Sequence, residues 1–145
     1  MDKGVAVLLT AVAGGLIALQ APINAELGRA TGNFAAALVS FAVGTLALAA
    51  IVVLSGKAGG LGSTFDVGWY YLVGGLLGAL YVTNALIAVS VIGAGGVAAL
   101  TVAGQLTASV AIDRFGLFGL DEVALTPERL LGVALLLVGT VLVVR

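Results

Sequence analysis

An uninterrupted run of 46 residues, from Val67 to Ile112, carries no charged side chain. A bilayer core of roughly 30 Å is crossed by about 20 helical residues, so this run is long enough for two crossings. Two further charge-free runs extend from Asn33 to Gly56 and from Leu130 to Val144, and an apolar stretch covers Gly4 to Ala25. The sequence therefore predicts five transmembrane helices.

Composition supports an all-α membrane protein and excludes several classes of function. The chain is 61% hydrophobic and 9% charged, with a mean hydropathy of +1.25. It has no cysteine and no histidine, so disulfides, thiolate metal sites and imidazole acid-base chemistry are not available. We expect no enzyme activity, no cofactor and no metal site. The six lysines and arginines are scattered, which argues against binding to nucleic acid.

The N-terminal apolar stretch also has the pattern of a signal peptide, because Lys3 precedes it and small residues follow. The further apolar runs favour a transmembrane helix instead. We predict one integral membrane domain over residues 1–145. Its helices are expected at about 4–28, 33–55, 67–91, 96–113 and 127–144.

Two local signals divide the chain. Gly93, Gly95 and Gly96 predict a tight turn inside the longest apolar run, because glycine adopts the backbone angles that turns need. Thr126 and Pro127 predict the start of the last helix, with the threonine as the N-cap and the proline in the first helical position.

The segment LQAPINAELG, residues 19–28, places polar residues inside the first helix. Gln20 and Asn24 are four residues apart and share one helix face. Pro22 removes a backbone donor and frees the carbonyl of Ala18, which predicts a kink beside that polar pair. Helices 3 and 4 carry comparable polar faces, with Tyr81, Thr83 and Asn84 on the former and Thr101, Gln105, Ser109 and Asp113 on the latter.

Because polar side chains avoid lipid, these faces should meet one another or a water-filled cavity. We predict a solute site formed by Gln20, Asn24, Tyr81, Asn84, Thr101 and Gln105. Glu26 and Asp113 are the candidates for proton coupling. The alternative for the two carboxylates is an interfacial ion pair with Arg29 or Arg114. For the hydroxyl residues the alternative is hydrogen bonding between helices; those residues are Ser40, Thr45, Thr101, Thr107 and Ser109.

Charge placement gives a weak orientation signal. Five crossings put four of the six basic residues on the N-terminal side and two on the other, which favours a cytoplasmic N-terminus only slightly. We predict that the chain inserts both ways and forms an antiparallel dimer, either with itself or with an oppositely inserted paralogue. Such a pair reproduces the inverted repeats that are common in transporters.

Two segments resemble the YdcZ-like branch of the drug/metabolite transporter superfamily: GGLIALQAPINAELGRATGNFAAALVSFAVGTLAL, which begins at Gly14, and GQLTASVAIDRFGLFG, residues 104–119. The resemblance implies a bacterial inner-membrane transporter equivalent to one half of the ten-helix, inverted-repeat members. Small four-helix exporters of the superfamily carry a buried glutamate in helix 1, where this chain has Leu16, Ile17 and Gln20. That departure argues against proton exchange through a central carboxylate.

The function predicted from these features is secondary transport of a small solute, most simply export, by alternating access. The alternative is a membrane subunit or scaffold that does not transport and whose polar residues only join helices. An ion channel is disfavoured, since the sequence contains neither a ring of charge nor a filter-like segment. The expected partners are the lipid bilayer, a small-molecule solute and a second subunit.

Overall fold

The computed structural model describes residues 2–145, and over that range the secondary structure is helical, with no strand. Four α-helices follow one another: α1 (Lys3–Thr31), α2 (Asn33–Leu54), α3 (Val73–Arg114) and α4 (Pro127–Val144). Short 3₁₀ segments occupy Ala58–Phe65, Trp69–Leu72 and Leu117–Gly119. All four α-helices lie in segments that are long and apolar enough to cross a membrane. The prediction of an all-α membrane protein is confirmed.

The longest helix, α3, is broken at Gly93. Its 42 residues would extend about 63 Å as one straight helix, roughly twice the thickness of a bilayer core. Gly93 has φ 70° and ψ 166°, which lie outside the helical region. The parts on either side, residues 73–92 and 94–114, each match the length of one crossing. Together with α1, α2 and α4 they give the five crossings that the sequence predicts.

The structure corrects the predicted turn between the third and fourth crossings. Only Gly93 leaves the helical conformation, whereas Gly95 and Gly96, which the sequence also predicts in the turn, are helical. A Cβ on Gly96 would lie 3.2 Å from the Cβ of Ile92, and one on Gly95 would lie 3.9 Å from Cγ1 of Val143. These two glycines therefore provide space for close packing rather than backbone freedom.

The third crossing also begins later than predicted. Its α-helix starts at Val73 instead of residue 67 and follows the 3₁₀ segment Trp69–Leu72. Gly68 is extended, with ψ 137°, and the ring of Tyr70 lies against it. Exposed aromatic side chains at this end of α3 suit the membrane interface. By contrast, the predicted start of the last helix is confirmed, since the Thr126 side chain accepts a hydrogen bond from the Arg129 amide.

The described chain forms two compact units, one ending at Ser90 and one covering Val91–Arg145. In the first, the N-terminal unit, α1 and α2 form a hairpin joined by Gly32, whose φ of 86° favours glycine. A Cβ on Gly28 would lie 2.9 Å from Oδ1 of Asn33 and 3.8 Å from Cβ of Ala36, so a larger residue there would require the asparagine side chain to move. The first part of α3 packs on α2 through a cluster of Ala37, Val82 and Leu86.

In the C-terminal unit, the second part of α3 runs antiparallel to α4. The Thr140 hydroxyl donates to the carbonyl oxygen of Ala99 at 3.3 Å, and Arg129 bonds Asp113 near the other end. The buried apolar residues of both units are mostly small, whereas the large ones mostly face outward, as lipid contact requires. That the two units together form a single integral membrane domain stays a prediction.

We expect Gly93→Ala to destabilise the protein by about 1–3 kcal/mol, because alanine is strained at this positive φ. A Cβ at Gly93 would meet open space, so any loss of stability comes from the backbone angle and not from a steric clash of the new methyl group. Gly104→Ala is the control, since Gly104 also has open surroundings but lies at helical angles. Thermal unfolding in detergent measures both variants. Equal melting temperatures would contradict a requirement for glycine at the break.

Candidate functional site

The polar face of α1 turns toward α2 around Asn24. Ala21, Asn24 and Gly28 are the buried residues of this helix, and Asn24 is only 6% exposed. Its Nδ2 atom has no hydrogen-bond partner among residues 2–145. An unsatisfied buried donor costs about 1–3 kcal/mol, so a ligand that accepted this hydrogen bond would bind favourably. Asn24 therefore presents an unused donor inside the N-terminal unit.

One helical turn before Asn24, the exposed side chain of Gln20 borders an open-sided cavity of about 190 Å³. The other lining residues all belong to α2 and are Ser40, Phe41, Gly44, Thr45 and Leu48. Gln20 precedes the end of α1 by eleven residues, or about 16 Å, which places the cavity well inside the apolar segment. One amide and two hydroxyl groups thus lie beside an aromatic ring. Since none of the six residues is ionisable, the cavity suits an uncharged solute that can form hydrogen bonds.

The sequence does not predict the contribution of α2 to this cavity. The sequence favours an interpretation of Ser40 and Thr45 as residues that bond neighbouring helices, yet both line the cavity together with Gln20. A signal was available, because Ser40, Gly44 and Leu48 recur every four residues and so share a face. A small polar residue followed by a glycine one turn later indicates a helix face with little side-chain volume, which leaves space beside it.

The first part of α3 reaches the same region of α2 from another side. A Cβ on Gly78 would lie 3.5 Å from the Phe41 ring, which also lines the cavity. Tyr81 is half-buried and packs against the cluster that includes Ala37. Asn84 is exposed, and it lies about 200° around the helix axis from Val82 of that cluster. The structure thus brings Tyr81 to α2 but leaves Asn84 on an open face.

The two remaining predicted site residues, Thr101 and Gln105, belong to the C-terminal unit. Thr101 is half-buried and Gln105 is exposed. The side of α3 that faces α4 includes Ala99 and the buried Ala103, and Gln105 lies about 200° around the helix from Ala103. Gln105 therefore points away from α4, with its amide on an exposed face of this unit.

Both candidate carboxylates form ion pairs with arginines. Glu26 Oε2 accepts from Nη1 of Arg29 at 2.7 Å, and the two side chains are 72% and 74% exposed. This is one of the pairings that the sequence suggested. Exposed pairs contribute little to stability, about 0–1 kcal/mol. Glu26 does not line the cavity beside Gln20.

Asp113 pairs with Arg129 rather than with Arg114, its neighbour in sequence. Its Oδ2 atom accepts from Nη2 of Arg129 at 2.7 Å, with 29% and 34% of the side chains exposed. Antiparallel packing explains the choice, because it sets the end of α3 beside the first turn of α4. The Asp113 carbonyl oxygen also accepts from the Val123 amide at 2.9 Å. Within residues 2–145, no group of three acidic side chains is placed to hold a metal ion.

We expect Asp113→Asn to destabilise the protein by about 1–2 kcal/mol, with the partial exposure of the pair taken into account. The reason is that Arg129 would lose its charged partner while its Nη1 atom is already buried without a hydrogen bond among the described residues. Glu26→Gln is the matched control and should cost at most about 0.5 kcal/mol. Thermal unfolding of the two variants decides; equal losses would contradict this ranking of the pairs.

Comparison with protein families matches residues 5–142 to the family described as "Putative inner membrane exporter, YdcZ". The match includes the polar segment of α1 and the end of α3, the two segments that carry the resemblance. No curated protein and no solved structure matches the chain. Its long apolar helices agree with a multi-pass membrane protein, and the family description names the inner membrane. The chain belongs to the YdcZ family of inner membrane exporters, a branch of the drug/metabolite transporter superfamily.

Proposed function

We propose that the chain is a secondary transporter that exports a small, uncharged solute across a bacterial inner membrane by alternating access. The observation that carries the proposal is the cavity beside Gln20, where an amide and two hydroxyl groups lie deep in an apolar segment. Polar groups at that depth are costly unless they bond one another or a ligand. The family description supports export as the class of activity.

The lining of the cavity defines the class of solute. A charged solute would lose its hydration there without meeting an opposite charge, which is far more costly than transfer of a neutral molecule. Gln20, Ser40 and Thr45 supply donors and acceptors, while Phe41 and Leu48 supply apolar contact. A neutral molecule with one apolar part and one hydrogen-bonding part fits this combination.

The proposed site is larger than the cavity that α1 and α2 border. Asn24 supplies an unused donor one turn away, and Tyr81 packs on the same part of α2. Asn84, Thr101 and Gln105 stay proposed site residues, each described on its own unit: Asn84 on the N-terminal unit, Thr101 and Gln105 on the C-terminal unit. Asn84 and Gln105 are exposed and Thr101 is half-buried, and polar side chains on membrane helices do not remain against lipid.

Glu26 and Asp113 are the proposed coupling residues. Each holds an arginine through a bond of 2.7 Å, so protonation of the carboxylate would release that arginine. Release at Asp113 would free the start of α4 from the end of α3, and release at Glu26 would act next to the hairpin of α1 and α2. Glu26→Gln and Asp113→Asn should each flatten the pH profile of flux if that carboxylate couples transport.

Removal of the cavity's polar groups should reduce flux without unfolding the protein. We expect Gln20→Leu and Thr45→Val each to lower saturable flux about tenfold, the effect of one lost hydrogen bond of roughly 1.4 kcal/mol. Thr10→Val is the matched control, because the Thr10 hydroxyl is exposed and bonds the Ala6 carbonyl oxygen within α1. The measurement is uptake into proteoliposomes from a panel of neutral and charged solutes under proton and sodium gradients.

Three results of the flux assay would count against the proposal. Absence of saturable flux across the panel would favour the scaffold. Losses in Gln20→Leu and Thr45→Val that match a loss of folded protein would make these residues structural. Saturable flux of charged solutes alone would contradict the proposed class of solute while leaving transport intact.

The subunit arrangement is a separate part of the proposal. An odd number of crossings puts the two ends of the chain on opposite sides, so two copies inserted in opposite senses form an inverted pair. We expect C-terminal reporters that are active on only one side of the membrane to give signals from both sides. Reporting from one side alone would contradict an antiparallel homodimer and would leave pairing with an oppositely inserted paralogue, which co-expression and copurification would test.

A further inference from the structure

A second cavity, separate from the proposed solute site, opens on the surface of the C-terminal unit where α3 ends and α4 begins. Its volume is about 270 Å³, and its walls include Val110, Ala111, Phe115, Leu125 and Leu130. The one hydroxyl in the lining, on Thr107, already donates to the carbonyl oxygen of Ala103 at 2.8 Å. The walls therefore offer apolar contact and almost no hydrogen bonding.

One charged residue, Arg114, also lines this cavity. It is the first basic residue after the charge-free run of α3, which places its guanidinium at the depth of lipid headgroups. Its Nη1 atom is 3.9 Å from Oε2 of Glu122, too long for a hydrogen bond, and both side chains are about half exposed or more. A cation and an anion therefore stand side by side without direct bonding.

The loop is shaped to hold Glu122 beside Arg114. Gly116 has φ 57°, and a Cβ there would lie 2.9 Å from Cγ of Glu122 and 3.0 Å from the carbonyl oxygen of Leu120. A side chain at Gly116 would thus displace the stem of the glutamate. The loop and the first turn of α4 also carry Asp121 and Glu128, so the surroundings of the two charges are acidic overall.

We propose that this cavity holds one acyl chain of a phosphatidylethanolamine lipid. The phosphate of the lipid bonds Arg114, and its ammonium group bonds Glu122. The apolar walls match a hydrocarbon chain, and the adjacent charges match the two ends of a zwitterionic headgroup. The phosphate of an anionic headgroup would also bond Arg114, but such a headgroup brings no ammonium group to Glu122 and is repelled by Asp121 and Glu128. A choline headgroup has no N–H with which to bond the glutamate.

The test is a binding titration followed by native mass spectrometry. Delipidated protein is titrated with phosphatidylethanolamine, phosphatidylcholine and phosphatidylglycerol that carry the same acyl chains. We expect one saturable phosphatidylethanolamine per chain, bound about tenfold more tightly than either other lipid, the ratio that roughly 1.4 kcal/mol produces. Ala111→Phe, which fills the cavity, should abolish that binding. Ala108→Phe is the matched control, because residue 108 is exposed on the same helix and does not line the cavity.

Two substitutions at the headgroup keep the proposal testable if the cavity variant fails to fold. Arg114→Gln should weaken phosphatidylethanolamine binding about tenfold. Glu122→Gln should reduce the preference for phosphatidylethanolamine over phosphatidylglycerol. Both residues are sufficiently exposed that the fold should be retained. The measurement does not depend on flux, so its outcome is independent of the proposed transport activity.

Several outcomes would overturn the lipid site. Equal binding of all three lipids, unchanged in Arg114→Gln and Glu122→Gln, would indicate non-specific lipid contact. A change of oligomeric state in Ala111→Phe without a change in lipid binding would indicate that a second copy of the chain fills the cavity. Displacement of bound lipid by a transported solute would indicate that the cavity belongs to the transport pathway.

Discussion

The absence of water from the hydrocarbon core is the constraint on which this structure depends. Backbone groups must be satisfied within each segment, so every crossing is helical, and helices approach one another only where side chains are small. Gly28 and Ala36 provide that approach between α1 and α2, where the buried Ala36 has no exposed surface. The same closeness encloses Asn24 and leaves its amide without a partner among the described residues. Tight packing and an unsatisfied polar group thus have a common cause.

Farther from the hairpin turn, the side chains between α1 and α2 are too small to fill the space, and this space is the cavity beside Gln20. Gly44 and Ser40 on α2 are too small to fill the space beside Gln20, and Phe41 lines one side with its ring close to Gly78 of α3. Dense packing near the hairpin turn and open packing one turn away therefore place a rigid support next to a space for solute. A functional group held on a helix in this way is positioned more accurately than one on a loop.

Most of the fold could be predicted because the length of a run without charged residues indicates how many membrane-crossing helices it contains. The runs around α1, α2 and α4 each correspond to one helix, and Thr126 and Pro127 mark a helix start by local rules alone. The exact break in α3 could not be predicted, because glycine in a membrane helix serves either backbone freedom or close packing, and sequence does not distinguish Gly93 from Gly95. The partner of Asp113 was also hidden, since Arg129 becomes a neighbour only after α3 and α4 pack together. The cavity residues of α2 required knowledge of which face turns toward α1.

The ion pair between Asp113 and Arg129 has a consequence for assembly in the membrane. It closes the loop between the last two crossings and forms only when the end of α3 and the start of α4 lie on the same side of the bilayer. A molecule that failed to reverse direction between them would leave a carboxylate and a guanidinium separated by the full hydrocarbon thickness. The pair therefore favours the antiparallel orientation of these two crossings. It is equally satisfied whichever way the whole chain inserts, so local topology is enforced while global orientation remains open.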